Sequence, residues 1–305
     1  MKTPDILNLD SIDAYNKIYG LESLHPLVTV IDLNKATKRD YDRVRLKYGV
    51  YAIFLKNGVN CTIKYGREYY DYQEGTVVCF SPGQVIDVDS TNMPIAHDVL
   101  GLMFHPDLIY GTPLADKIAN FGYFKYSQRE ALHLSERERA IFLDCLKKIN
   151  EEIEHPVDKH SADLISANIQ LLLEYLSRFY DRQFITRHSV NSSVVAAFEK
   201  QLSEIFASGK SVNEIPRVSY FAEKANLTPG YFGDLIKRET GSSPQDIIAL
   251  RIIAEAKRRL LTSDNDVSII AYDLGFQYPQ HFTRMFKRVT GKSPSVFRNE
   301  YNSEN

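Results

Sequence analysis

Within AYDLGFQYPQHFTRMFKR (271–288), Gln280, Thr283, Arg284 and Lys287 recur at steps of three and four residues, and Phe282, Met285, Phe286 and Val289 recur at the same steps between them. On an α-helix such spacing separates a polar face from an apolar one. The polar face carries a definite chemistry. A Gln amide can donate to and accept from an adenine edge, an Arg guanidinium matches guanine, and Thr offers a hydroxyl and a methyl to a base. Lys287 and Arg288, further along, suit phosphate oxygens, where they add affinity without sequence information. The same residues could equally form a solvated face, so the reading depends on the elements that hold them.

Chemistry of other kinds has little to stand on. The chain has no phosphate-binding glycine loop, no HExxH pair, no G-x-S-x-G elbow and no credible Cys–His couple. No catalytic residue, cofactor or metal site is therefore expected. The cysteines at 61, 79 and 145 are too dispersed for a disulfide framework and fit a reducing, cytoplasmic setting. His97 and His105 stand apart, as structural or surface residues rather than a ligand cluster. No apolar run reaches the roughly 18 residues of a membrane span. The formal charge is −2, yet residues 190–300 hold 15 Lys or Arg against 12 Asp or Glu. That bias suits a polyanionic partner and is weak by itself.

The support comes from an internal repeat. YFGDLIKRETGSSP (231–244) and HFTRMFKRVTGKSP (281–294) align at one offset of 50 residues, with Phe232 on Phe282, Lys237-Arg238 on Lys287-Arg288, Thr240-Gly241 on Thr290-Gly291 and Pro244 on Pro294. VSYFAEKANL (218–227) and VSIIAYDLGF (267–276) precede them at an offset of 49. Each copy reads as a short helix, a tight turn and a second helix. Ala222 and Ala271 permit close crossing, Asn226 and Gly275 tolerate the left-handed turn, and Leu227 and Phe276 plug it. Thr228-Pro229 can cap and open the second helix of the first copy, and Pro279 can open that of the second. Between the copies, residues 244–261 form a broadly apolar connector helix that would hold the two units in fixed relation, so that two helices could enter successive major-groove segments.

The first half has another texture. YAIFL (51–55), VNCTIKY (59–65), TVVCF (76–80) and the stretch 95–104 are short β-branched or aromatic runs split by Gly-bearing turns. They predict antiparallel strands in a compact β barrel or jelly roll. Helical stripes follow over 135–154 and 161–180, a pair that either packs on the β region or forms a subunit interface. FITRHSVNSS (184–193) has little periodicity and reads as a linker, which gives domains of 1–182 and 190–300 joined by 183–189.

At Ser219–Phe297, and most specifically in GF followed by PQHFTRMFKRVTGKSP, the sequence resembles the AraC/XylS family of bacterial transcriptional regulators. Phe80-Ser81-Pro82-Gly83 and Phe104-His105-Pro106 extend the similarity more loosely. The resemblance implies an α+β multidomain chain: an N-terminal cupin-like β barrel with flanking helices for effector sensing and dimerisation, and a seven-helix C-terminal domain with two helix-turn-helix units. Its base-reading positions fall on Pro279, Gln280, Thr283 and Arg284 in the second copy and on Gly230, Gly233 and Asp234 in the first. Tyr231, Lys237 and Arg238 are then phosphate or groove-edge contacts of the first copy, with Tyr231 equally open to a packing role, and Lys287 and Arg288 are the backbone contacts of the second. Gly230 and Gly233 have no side chain with which to read, and Asp234 would repel phosphate, so most base reading is expected in the second copy. Tyr51, Tyr65, Tyr69, Tyr70 and Tyr72 are candidate walls of an organic-effector pocket. The implied partners are double-stranded promoter DNA, a small organic effector, RNA polymerase and a second copy of the chain. Two other classes stay open: a metal-dependent cupin enzyme with a DNA-tethering domain, and a helical protein-interaction module.

Overall fold

The computed structural model describes residues 6–37, 43–56, 75–89, 98–127, 130–186, 188–206 and 211–304. The chain divides into two compact units, Met1–Thr186 and Arg187–Asn305.

Unit 1 contains β1 (Ile6–Leu9), α1 (Ile12–Tyr19), β2 (Val28–Asp32), β3 (Arg43–Tyr48), β4 (Tyr51–Lys56), β5 (Thr76–Phe80), β6 (Val85–Asp89), β7 (Val99–Phe104), α2 (Pro113–Lys117), β8 (Leu132–His133), α3 (Glu136–Glu154) and α4 (Ser161–Thr186). The strands form a three-stranded sheet, β1-β3-β6, and a five-stranded sheet, β2-β7-β4-β5-β8. Every pairing in the larger sheet is antiparallel, while β1 runs parallel to β3. The expected cupin-like barrel is thus corrected: among the described residues neither sheet closes on itself. Leu9, Leu46 and Tyr48 of the smaller sheet share one core with Ile31, Ala52, Phe54, Val78, Phe80 and Met103 of the larger. A second sheet therefore buries the inner faces, which removes the need for closure. The run 59–65, expected as a strand, lies outside the described residues.

YAIFL is apolar throughout because the larger sheet is buried on both sides. Ala52 and Phe54 enter the core between the sheets, and Ile53 and Leu55, on the opposite face, are also fully buried. Helix α3 lies along β2. It starts on a capping box, in which Ser135 Oγ accepts from Glu138 N and the Glu138 carboxylate accepts from Ser135 N. The end of α4 is pinned to β8. Arg182 bonds both carboxylate oxygens of Glu138 at 3.0 and 2.7 Å and the His133 carbonyl at 2.6 Å. Gln183 accepts from His133 N and donates to the Ala131 carbonyl.

Unit 2 consists of seven helices among the described residues: α5 (His188–Ile205), α6 (Val218–Lys224), α7 (Pro229–Thr240), α8 (Pro244–Thr262), α9 (Val267–Asp273), α10 (Pro279–Thr290) and α11 (Pro294–Glu304). The weakly periodic stretch 184–193, read as a linker, is the end of α4 and the start of α5 on either side of residue 187. Its buried residues Phe184 and Asn191 explain why helix prevails over weak local pattern. Phe198 of α5 meets Phe221 and Phe232 edge-on, at centroid distances of 4.9 and 5.4 Å. In the second half, Phe282 packs on Phe276 and Phe286, and Phe286 on Phe297 of α11.

Candidate nucleic-acid interface

The two copies fold alike, down to individual hydrogen bonds. After α6, Leu227 N donates to Ala222 O at 2.9 Å around Asn226, whose φ is 57°; after α9, Phe276 N donates to Ala271 O at 3.0 Å around Gly275, whose φ is 88°. Ala222 and Ala271 are both fully buried where the helices cross. At the far end, Thr240 Oγ1 donates to Ile236 O at 2.7 Å, and Thr290 Oγ1 to Phe286 O at 2.8 Å. Gly241 and Gly291 then end their helices in the left-handed conformation. The copies differ at their openings. Thr228 Oγ1 accepts from Tyr231 N, whereas Tyr278 makes no side-chain cap and its ring instead meets His281 edge-on.

On α10 the two faces separate. Phe282 and Phe286 are fully buried and Met285 is half-buried, while Gln280, Arg284, Lys287 and Arg288 are exposed and Thr283 and Pro279 are half-buried. Gln280 to Lys287 covers about 10 Å of helix at the usual rise. No ion pair ties up Arg284 or Lys287 among the described residues.

On α7 the matching surface is smaller. Asp234, Lys237 and Arg238 are exposed, Gly230 and Gly233 are half-buried, and a side chain added at Gly233 would meet nothing within 4 Å. Tyr231 is 4% exposed, so its ring belongs to the packing of unit 2 and has little surface to offer a phosphate.

Residues that local pattern left unmarked brace the second copy. Val212 N donates to Asp273 O at 2.8 Å, and Ser211 Oγ to Asp273 Oδ1 at 3.0 Å. A Cβ at Gly275 would stand 2.9 Å from Ile215 N. On α8, Glu255 is buried and accepts from Arg258 and Arg259, and Arg259 also approaches Asp273 at 3.8 Å. Hydrogen bonds from Arg258, then from Arg259, hold the Glu255 carboxyl below its ordinary range. Arg298 of α11 donates to the carbonyls of Leu260 and Asn265, closing the end of α8. The Glu–Arg spacing in AEAKRRL could have flagged the α8 pairs. Nothing local signals the link from Ser211 to Asp273, which spans 62 residues.

Of the effector candidates, Tyr51 alone lies among the described residues. Tyr51 is half-buried, stacked on Phe104 at 5.0 Å and edge-on to Phe124 at 5.1 Å, and burial pushes its phenol up. Tyr65, Tyr69, Tyr70 and Tyr72 lie outside the described residues. A cavity of about 10 Å³ beside Cys79, Tyr123 and Tyr180 has room for about one water. His105 caps the turn that follows β7 by accepting from Asp107 N, and His97 lies outside the described residues. No group of three or more His, Cys, Asp or Glu able to hold a metal occurs among the described residues, and none of the described helices is long and apolar enough to cross a membrane.

Residues 221–300 match the model of a helix-turn-helix domain. The HTH-type transcriptional regulator YobQ of Bacillus subtilis (strain 168) is 32% identical over 123 residues, covering 39% of this chain and 51% of that protein. The raffinose operon transcriptional regulatory protein RafR of Pediococcus pentosaceus is 38% identical over 73 residues, 24% of this chain and 26% of that one. The chain therefore spans about half of one relative's length and about a quarter of the other's. Among solved structures, the DNA-binding domain of AdpA in complex with a target DNA is 27% identical and covers 38% of this chain and 95% of that one, with a TM-score of 0.32. These relatives are named as regulators of transcription and not as enzymes. The duplicated helix pairs and the matched segment coincide, so residues 221–300 are a helix-turn-helix domain, similar in sequence to those of transcriptional regulators.

Proposed function

We propose that this chain binds promoter DNA in a sequence-specific manner and regulates transcription, with α10 reading bases from the major groove. The observation that carries the reading is the asymmetry between two copies of one scaffold. Gln280, Thr283 and Arg284 form a polar face on α10, where α7 offers Gly230, Gly233 and Asp234. Lys287 and Arg288 serve phosphates beside α10, and Lys237 and Arg238 do so beside α7, so that the first copy positions the protein and the second specifies the site. Pro279 shapes the entry of α10 and presents a ring to the groove. Leu164 and Leu171, exposed and seven residues apart on α4, support assembly into a homodimer through unit 1.

The test is selection of bound genomic fragments by the purified chain, repeated with Arg284→Ala and Lys287→Ala. A common motif recovered by the parent and altered by Arg284→Ala supports the reading. Recovery of no fragment above background would favour a helical protein-interaction module. Transcription by purified RNA polymerase from a recovered promoter, measured with and without this chain, then gives the sign of regulation.

A further inference from the structure

The two helix-turn-helix copies diverge at the residue that opens the second helix. At the offset of 50, Thr228 of the first copy falls on Tyr278 of the second, and Tyr231 falls on His281. In the first copy both side chains serve the fold: Thr228 Oγ1 accepts from Tyr231 N at 3.3 Å, and the Tyr231 ring is buried. In the second copy both are exposed and meet each other edge-on, with ring centroids 5.6 Å apart. Tyr278 is 55% exposed. Its backbone takes over the capping role, since His281 N donates to Tyr278 O at 3.0 Å, an i→i+3 bond that tightens the opening turn. Helix entries favour Ser, Thr, Asp or Asn. Position 278 forgoes that stabilisation and sets an uncovered aromatic ring at the head of α10.

A single exposed tyrosine is ordinary. Tyr278 is distinguished by its place, two residues ahead of Gln280, at the helix end whose residues reach base edges when a helix-turn-helix enters the major groove. The ring is also held. Pro279 restricts the residue before it to extended backbone, which Tyr278 adopts at φ −131° and ψ 117°, and the His281 ring packs against the phenol. We infer that Tyr278 is a specificity-determining residue that lays its ring against the methyl group of a thymine at the edge of the site read by α10. This inference rests on the function proposed above. The thymine methyl is the apolar group that base pairs present in the major groove, and an apolar ring gains by covering it. The phenol hydroxyl has no bidentate pattern with which to read a base. Its competing use is a bond to phosphate, which carries no sequence information.

The test uses the full chain and a motif recovered from selected genomic fragments. Each thymine of the motif is replaced in turn by deoxyuridine, which lacks only the methyl, and the duplexes are titrated with the parent, Tyr278→Phe and Tyr278→Ser. One replacement at the edge of the motif is expected to weaken the parent about fourfold, the effect of one buried methyl group. Tyr278→Phe should keep that discrimination. Tyr278→Ser restores a capping hydroxyl and should melt no lower than the parent, yet bind thymine and deoxyuridine alike at that position. A parent indifferent to every replacement, or a Tyr278→Ser variant that discriminates as the parent does, overturns the proposal. Equal affinity losses in Tyr278→Phe and Tyr278→Ser, with the discrimination unchanged, overturn it too and assign the hydroxyl to a phosphate. A motif that depends on Arg284 and ignores Tyr278 removes this proposal alone. Recovery of no motif by the parent removes the DNA reading and this proposal with it.

Discussion

The carbonyl of Asp273, the last residue of α9, accepts the amide N–H of Val212 at 2.8 Å. Val212 precedes the first helix-turn-helix copy, yet it bonds the turn of the second. Two residues beyond Asp273, Gly275 presses against the backbone of residues 212–215 in a left-handed conformation. The segment ahead of α6 thus fixes where α10 begins, and with it the direction of the Gln280–Arg284 face.

That contact sets Gly275, in the turn, apart from Gly233, within α7. Gly275→Ala is expected to destabilise the chain by about 2 to 3 kcal/mol, through a positive φ and the collision with Ile215 N. Gly233→Ala, in open space within α7, is expected to stabilise by about 0.5 to 1 kcal/mol. Denaturant unfolding of both variants checks the pair; equal effects would show that the strap does not press on the turn.

Arg284→Ala is expected to lose about 1 to 3 kcal/mol on the selected site and to relax one base position. Lys287→Ala should weaken all sites alike and lower the slope of log affinity against log salt by about one. Titrations at several salt concentrations on matched and scrambled fragments distinguish the two. Identical losses for both variants would mean that α10 does not present this face to bases.

Transplanting the second face onto the first copy is a harder trial. Gly233→Thr combined with Asp234→Arg gives α7 the side chains found at Thr283 and Arg284. The motif selected by this variant is expected to gain about one or two specified base pairs. An unchanged motif would place α7 outside the groove.

Glu255 links stability to acid. Its carboxyl is held below the ordinary value by Arg258 first and Arg259 second, so the folded pKa is depressed. The stabilisation is then fully present above the usual glutamate value of about 4.3 and disappears as pH falls through the lower folded value. Melting temperature followed from about pH 6 to about pH 3 should fall less steeply for Glu255→Gln than for the parent. Glu255→Ala, which leaves Arg259 buried without its carboxylate, should cost about 3 kcal/mol at neutral pH. Parallel acid limbs for parent and Glu255→Gln would remove Glu255 from the account.

What the sequence by itself determined is the part that repeats or alternates. Phe232 and Phe282, the Thr-Gly turns and the three-and-four spacing around Arg284 were enough to define two helix-turn-helix copies and the outward face of α10, because those features depend on helical periodicity and on residues a few positions apart. Strands β4 and β5 were legible for the same reason. The way strands group into sheets was not: β1 pairs with β3, and β2 with β7, across stretches that no local pattern links. Two sheets sharing a core and a closed barrel can have the same alternating strands, and only the pairing of distant edges decides between them. Tyr231 shows the limit from the other side, since the sequence left it open between a phosphate contact and packing, and the folded chain buries its ring. The strap from Ser211 to Ile215 and the Glu255 cluster likewise exist only in the folded chain, where residues distant in sequence compete for the same space.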